Sequence, residues 1–124
     1  MRDAIFAFLL WGGWAAYSNY TYGLETAAGI GLSQGIASLC TTLVLAFLIA
    51  QLFQFFTLPF AKRWLPTMLT VGLSASLLYT LHSLLATPNL LQTILPPIVV
   101  AMFYCLHLNR RHWHEFLSRR VVNE

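Results

Sequence analysis

The chain has 124 residues, of which 58% are hydrophobic, 15% aromatic and only 9% charged, with a formal net charge of +3, whereas soluble domains carry roughly 25% charged residues. A mean hydropathy of +0.67 in so short a chain means more apolar surface than one small water-soluble core can hide. Disordered chains, nucleic-acid-binding domains and ordinary cytosolic enzymes are thereby excluded, and the expectation is an all-α integral membrane protein, 1–124 forming a single transmembrane domain.

A helical span takes about 20 residues at 1.5 Å rise each. Four segments of that kind are expected in chain order, over about Ala4–Tyr22, Gln34–Leu58, Thr67–Ala86 and Leu90–Leu108, packed as a four-helix bundle. No A-x-A cleavage signal follows the first apolar run, so that segment reads as a retained span. Leu58-Pro59 closes the second segment and Leu65-Pro66 opens the third, with the stretch from Pro59 to Pro66 as a loop. Thr87 before Pro88 reads as the N-cap of the fourth helix, and Pro96-Pro97 inside that helix predicts a kink. The tail 109–124, with Trp113, Phe116, Leu117 and Val121 along one side, predicts a short helix lying at the headgroup boundary.

The seven Lys and Arg residues fall at Arg2, at Lys62 and Arg63, and at Arg110, Arg111, Arg119 and Arg120. None occurs in the segments 23–33 and 87–89. Because cationic side chains near membrane ends stay cytoplasmic, this distribution predicts four spans with both termini inside, in the cytoplasmic (inner) membrane of a bacterium. Lys62, Arg63, Arg110, Arg111, Arg119 and Arg120 are the expected contacts to anionic lipid, ahead of any nucleic-acid role. The crowded aromatics Trp11, Trp14, Tyr17, Tyr20 and Tyr22 read as outer interface anchors, and Trp64 as an inner one.

Small and polar residues recur at helical spacing in three segments: Gly12, Ala16, Asn19 and Gly23; Gly31, Gly35, Ser38 and Thr42; and Gly72, Ser76, Tyr79 and Ser83. Membrane helices associate through such residues, because close backbone approach supplies the dispersion contacts. All three stripes are therefore expected to face inward, with Leu73, Leu77, Leu81 and Leu84 turned to lipid.

Depth adds a second pattern. Asn19, Glu25, Gln34, Tyr79, His82 and Ser83 gather toward the extracytoplasmic half, with Asn89, Gln92 and Thr93 beginning the fourth span nearby. They form the candidate substrate-binding set. His82 leads it, as an ionisable residue at membrane depth that can exchange a proton near neutral pH. A packing role, in which His82 hydrogen-bonds Asn19 or Gln34, is the competing reading; Glu25 as a solvated loop acid is the competing reading for that residue.

Other motifs give nothing. Cys40 and Cys105 are not in a ligand spacing and read as small hydrophobes. His107, His112 and His114 lack the spacing and companions of a metal set, and no metal or cofactor is expected. No G-x-S-x-G, P-loop, HExxH or CxxC is present, which leaves no catalytic residue to name and ranks an enzyme last. In length and four-span layout the chain is similar to small multidrug transporters, fluoride channels and lipid-sugar translocases. The similarity is one of size: the first segment, Ala4–Tyr22, lacks the acid that small multidrug transporters carry in theirs.

Polar residues above an apolar lower half, with cations at the inner surface, suggest a translocator or carrier of an amphiphilic or lipid-linked substrate. Its expected partners are membrane lipids and a second copy of the chain, or another membrane protein. The alternative is a non-catalytic subunit whose small-residue stripes dock and stabilise a partner membrane protein.

Overall fold

The computed structural model describes the backbone of residues 2–122 and the side chains of residues 2–119. It is all-α: α1 (Arg2–Ser18), a 3-10 turn (Tyr20–Tyr22), α2 (Leu24–Phe55), α3 (Pro59–Leu84) and α4 (Leu90–Val122). Of these, α2, α3 and α4 are long and apolar enough to cross a bilayer. Their outer surfaces are rich in exposed Phe, Leu and Val, among them Phe47, Leu73, Leu91 and Phe103, so this is a helical membrane protein whose apolar face is turned outward.

The helices begin and end elsewhere than the hydropathy pattern predicts. The first is helical only to Ser18, and at 17 residues it is about 26 Å long, short of the ~30 Å hydrocarbon layer. Gly23, at φ 102°, sets the sharp exit into α2, a conformation that glycine reaches without steric cost. The second helix therefore starts at Leu24, ten residues ahead of the expected Gln34, and Glu25 sits in its first turn rather than in a loop. Pro59 occupies the first turn of α3, where its missing N–H has no intrahelical role. The expected loop from Pro59 to Pro66 is consequently helical, and Phe56–Leu58 alone connect α2 to α3. The tail is helical as expected but is not a separate interfacial helix: α4 continues through it to Val122.

The α3–α4 connection is a Schellman turn. The Ala86 N–H bonds the Ser83 carbonyl at 3.1 Å and the Thr87 N–H bonds the His82 carbonyl at 3.0 Å, satisfying two of the last helical carbonyls. The turn requires a left-handed residue, and that residue is Ala86, at φ 48°. Thr87 is not the N-cap of α4. Asn89 precedes the first helical residue, and its carbonyl accepts the Thr93 N–H at 2.9 Å.

Helix α1 runs antiparallel along α2, and the two backbones nearly touch. A Cβ built on Gly31 would lie 2.8 Å from both the Gly12 carbonyl oxygen and the Ala16 Cβ, and one on Gly35 would lie 3.0 Å from the Phe8 ring. The first two small-residue stripes thus meet each other. The third does not join them: Gly72, Ser76, Tyr79 and Ser83 are exposed, and α3 buries Thr67, Thr70, Leu78 and His82 instead. Leu45, Ile49 and Cys105 form a core backed by Val71, Ala101 and Leu108, joining α2, α3 and α4.

Three prolines, Pro66, Pro96 and Pro97, lie inside helices and leave carbonyls without their i+4 donor; for Pro66 and Pro96 another helix supplies one. Pro66 frees the Lys62 carbonyl; the buried Asn109 Nδ2 of α4 donates to it at 3.2 Å and to the Arg63 carbonyl at 2.7 Å. Pro96 frees the Gln92 carbonyl, and the Trp14 indole of α1 donates to it at 2.9 Å. The α2 C-terminus is closed in a related way, by the Lys62 ammonium on the Phe53 carbonyl at 2.7 Å.

Candidate functional site

Two features stand out as functional candidates: a knot of buried polar side chains at the α1–α2 and α3–α4 turns, and a groove below it.

The knot has two parts. In the first, His82 is fully buried and bonded on both ring nitrogens, Nε2 to Gln34 Oε1 at 2.6 Å and Nδ1 to Thr87 Oγ1 at 2.9 Å. Gln34 Nε2 is turned to Ser38 Oγ, at 3.3 Å. The Gln34 oxygen therefore accepts, His82 donates from Nε2, and Nδ1 accepts the Thr87 hydroxyl. The Schellman turn produces this arrangement, since the same Thr87 bonds His82 through both backbone and side chain. In the second part, the buried Asn19 donates to the Ala15 carbonyl and to Thr93 Oγ1, both at 2.9 Å, and accepts the Asn89 N–H at 3.1 Å. Asn89 Nδ2 completes the set on the Ser18 carbonyl at 2.6 Å. Helices in lipid have little hydrophobic drive to associate, so such bonds, each worth about 0.6–1.7 kcal/mol, carry weight in fixing partners.

The predicted site residues divide accordingly. Asn19, Gln34 and His82 are each at 0% exposure with their main polar atoms paired. Glu25, Tyr79 and Ser83 are exposed and take no part in the knot. A ligand reaches His82 only by breaking a bond to Gln34 or Thr87.

The predicted lipid-contact cations also separate. Lys62 of α3 is half-buried against the end of α2, and the Arg63 guanidinium lies 5.5 Å from the Trp64 ring centre. Arg110 points along its own helix toward His114, while Arg111 and Arg119 are exposed. The Arg120 side chain lies outside the described residues. Among the described residues no group of three His, Cys, Asp or Glu stands close enough to hold a metal ion.

The groove lies between the N-terminal half of α1 and the middle of the other helices, with a volume of about 300 Å³. That is the lower end of the range for small-molecule sites. Its walls include Leu10 and Trp11 of α1, Thr41 of α2, Ser74 of α3, and Ala101 and Tyr104 of α4. The hydroxyls do not make it polar. Thr41 donates to the Ala37 carbonyl at 2.8 Å and Ser74 to the Thr70 carbonyl at 3.0 Å, so their protons are spent on their own helices. Asp3 is the one acid in the lining, at the N-terminal end of α1. Ser38 lines the groove and also meets Gln34, which places the His82 cluster next to the groove.

Hydropathy and spacing do not reveal the groove, because it depends on where α1 parts from α4. Asn109 is equally hidden from them; the available signal is Pro66, whose freed carbonyl needs a donor from elsewhere. No family model, curated protein or solved structure matches this chain.

Proposed function

We propose that this is a small polytopic protein of a bacterial cytoplasmic membrane that binds and carries an amphiphile, whose hydrocarbon chain lies in the groove between α1 and α4. The observation that carries this reading is a cavity of about 300 Å³ with mostly apolar walls, in which the Thr41 and Ser74 hydroxyls are bonded to their own helix carbonyls. Such a surface favours an acyl or isoprenoid chain over a polar solute. Carriage, rather than passive lipid contact, is favoured by the link from the groove through Ser38 to the buried Gln34–His82 pair. In this reading α1 is a fourth span, extended by the exposed Tyr17, Tyr20 and Tyr22 at the outer interface. Both termini and all seven Lys/Arg residues are cytoplasmic.

The test is photolabelling of the reconstituted full chain with a phospholipid carrying a diazirine in its acyl tail. Labels should map to Leu10, Trp11 and Tyr104, and Ala101→Phe, which fills the groove, should cut that labelling at least fivefold. Labelling of the outward Phe103 should not change. Equal labelling of both sets in the wild-type and variant proteins would sink the proposal.

A second reading, a subunit that docks a partner helix or a second copy, draws on one observation: the exposed face of α3 carries Gly72, Ser76 and Ser83. A Cβ on Gly72 would meet nothing within 4 Å, so the face is small, flat and uncovered. Mass measurement in mild detergent decides between them. A stoichiometric assembly that Gly72→Leu dissociates favours docking; a monomer unchanged by that substitution disfavours it.

A further inference from the structure

A second cavity, of about 360 Å³, lies at the opposite end of the molecule from the knot, where three helices converge. The extension of α4 folds its aromatic side onto the last turns of α2: Phe53 stands 5.6 Å from the His112 ring and 6.2 Å from the Phe116 ring. From the first turn of α3, Lys62 reaches back between them. Its ammonium lies 4.8 Å from the Phe53 ring centre and 5.4 Å from that of Phe116. The Phe53 carbonyl takes one of its three protons, so the cation is positioned by α2 and α4 with donors to spare. His112 and Arg119 line the same cavity. The one acid there, Glu115, lies 3.9 Å from His112 Nδ1.

We infer that this cavity is a binding site for a phosphoryl group, held by the Lys62 ammonium and the Arg119 guanidinium, with His112 as a further donor. The donor set matches the ligand: a point-charge cation on one helix and a planar fork on another suit an acceptor that presents several oxygens in different directions. Its place also matches, because the cavity adjoins the ends of two apolar helices, where lipid headgroups lie. The other cations described at this end are differently disposed. Arg63 turns to Trp64, Arg110 turns to His114, and Arg111 is outside the cavity lining. Two of the basic residues at this end are therefore a built site, and Arg111 is part of a diffuse basic surface. The same chemistry would take a lipid phosphate or a free one.

Native mass spectrometry of the detergent-solubilised full chain tests this, with phosphatidic acid and phosphatidylcholine as probes. Arg119→Gln and Arg111→Gln remove the same charge from exposed positions of one helix. Phosphatidic acid adducts should fall at least tenfold in Arg119→Gln and less than twofold in Arg111→Gln, with phosphatidylcholine adducts unchanged in both. Lys62→Gln should match Arg119→Gln; since Lys62 also closes α2, its circular dichroism is checked, and if helicity falls, Arg119→Gln alone decides. Inorganic phosphate that displaces phosphatidic acid supports a site open to free phosphate; inorganic phosphate that does not, with the Arg119 dependence intact, supports a lipid headgroup site. Equal losses in the two arginine variants, or equal binding of both lipids to the wild-type protein, overturn the inference.

Discussion

If the Trp14 indole stands in for the donor that Pro96 lacks, restoring that donor should make the indole dispensable. Trp14→Phe removes the N–H that meets the Gln92 carbonyl at 2.9 Å. An unpaired carbonyl away from water costs about 1–3 kcal/mol, and interhelical bonds in membranes measure about 0.6–1.7 kcal/mol. Because this bond lies at the exposed surface of the helices, the second range applies, and about 0.6–1.7 kcal/mol is expected for it, besides a packing loss from the smaller ring. In a Pro96→Ala background the residue 96 N–H returns to the Gln92 carbonyl in the i+4 position, and Trp14→Phe should cost the packing share alone. The assay is a double-mutant cycle on reversible SDS unfolding in mixed micelles, followed by circular dichroism so that losing a tryptophan does not disturb the signal. A coupling energy of at least about 0.6 kcal/mol is expected. An equal cost of Trp14→Phe in both backgrounds would refute the reasoning, since it would mean that water already satisfies that carbonyl.

The Cβ of Gly31→Ala would sit 2.8 Å from backbone oxygen, whereas the Cβ of Gly72→Ala meets nothing. In the same unfolding assay the first should destabilise by about 1–3 kcal/mol and the second should stabilise by up to about 1 kcal/mol. Ala86→Gly relieves the left-handed residue of the Schellman turn and should raise stability by about 1 kcal/mol; a loss of stability would mean that the alanine methyl is held by packing. His82→Leu leaves Gln34 Oε1 and Thr87 Oγ1 buried and unpaired, and should cost about 2–4 kcal/mol. The yield of folded protein and any transport activity should fall together; lost activity at full folded yield would instead make His82 a working group.

Hydropathy located the membrane class and the start of α4, and helical spacing located the faces on which α1 and α2 meet. The same spacing chose the wrong face of α3, for a physical reason. A serine or threonine in a helix satisfies its hydroxyl on a carbonyl four residues back, as Ser76 does on Gly72 and Thr80 does on Ser76, both at 2.8 Å. Such residues cost little when they face lipid, so polarity does not mark the buried side. α3 carries a small or polar stripe on each side, 67–70–74 and 72–76–83, and only the neighbouring helices decide between them. Helix limits were misread where a residue that looks like a breaker is an initiator: Gly23 launches α2 and Pro59 launches α3. Of the candidate site, Asn19, Gln34 and His82 could be found because a strongly polar side chain deep in an apolar segment must find a partner. Glu25, Tyr79 and Ser83 carry no such obligation at a surface, and spacing alone could not separate the two groups.

The positions of the freed carbonyls bear on why a groove exists at all. In water a proline-freed carbonyl is hydrated and exerts no demand on its neighbours. In hydrocarbon an unpaired carbonyl is costly, and at Pro66 and Pro96 the donor comes from another helix. α4 is held this way at two levels: near its start, where Trp14 meets the Gln92 carbonyl and Asn19 meets Thr93, and far along it, where Asn109 meets the Lys62 and Arg63 carbonyls. The first ties it to α1 and the second to α3. Between those levels α4 presents Pro97, Ala101 and Tyr104 to the cavity, and the side-chain bonds from α1 to α4 stop at Trp14. A helix pinned to different partners at its two ends is free of side-chain bonds to α1 over its middle, and that is where the cavity of about 300 Å³ lies.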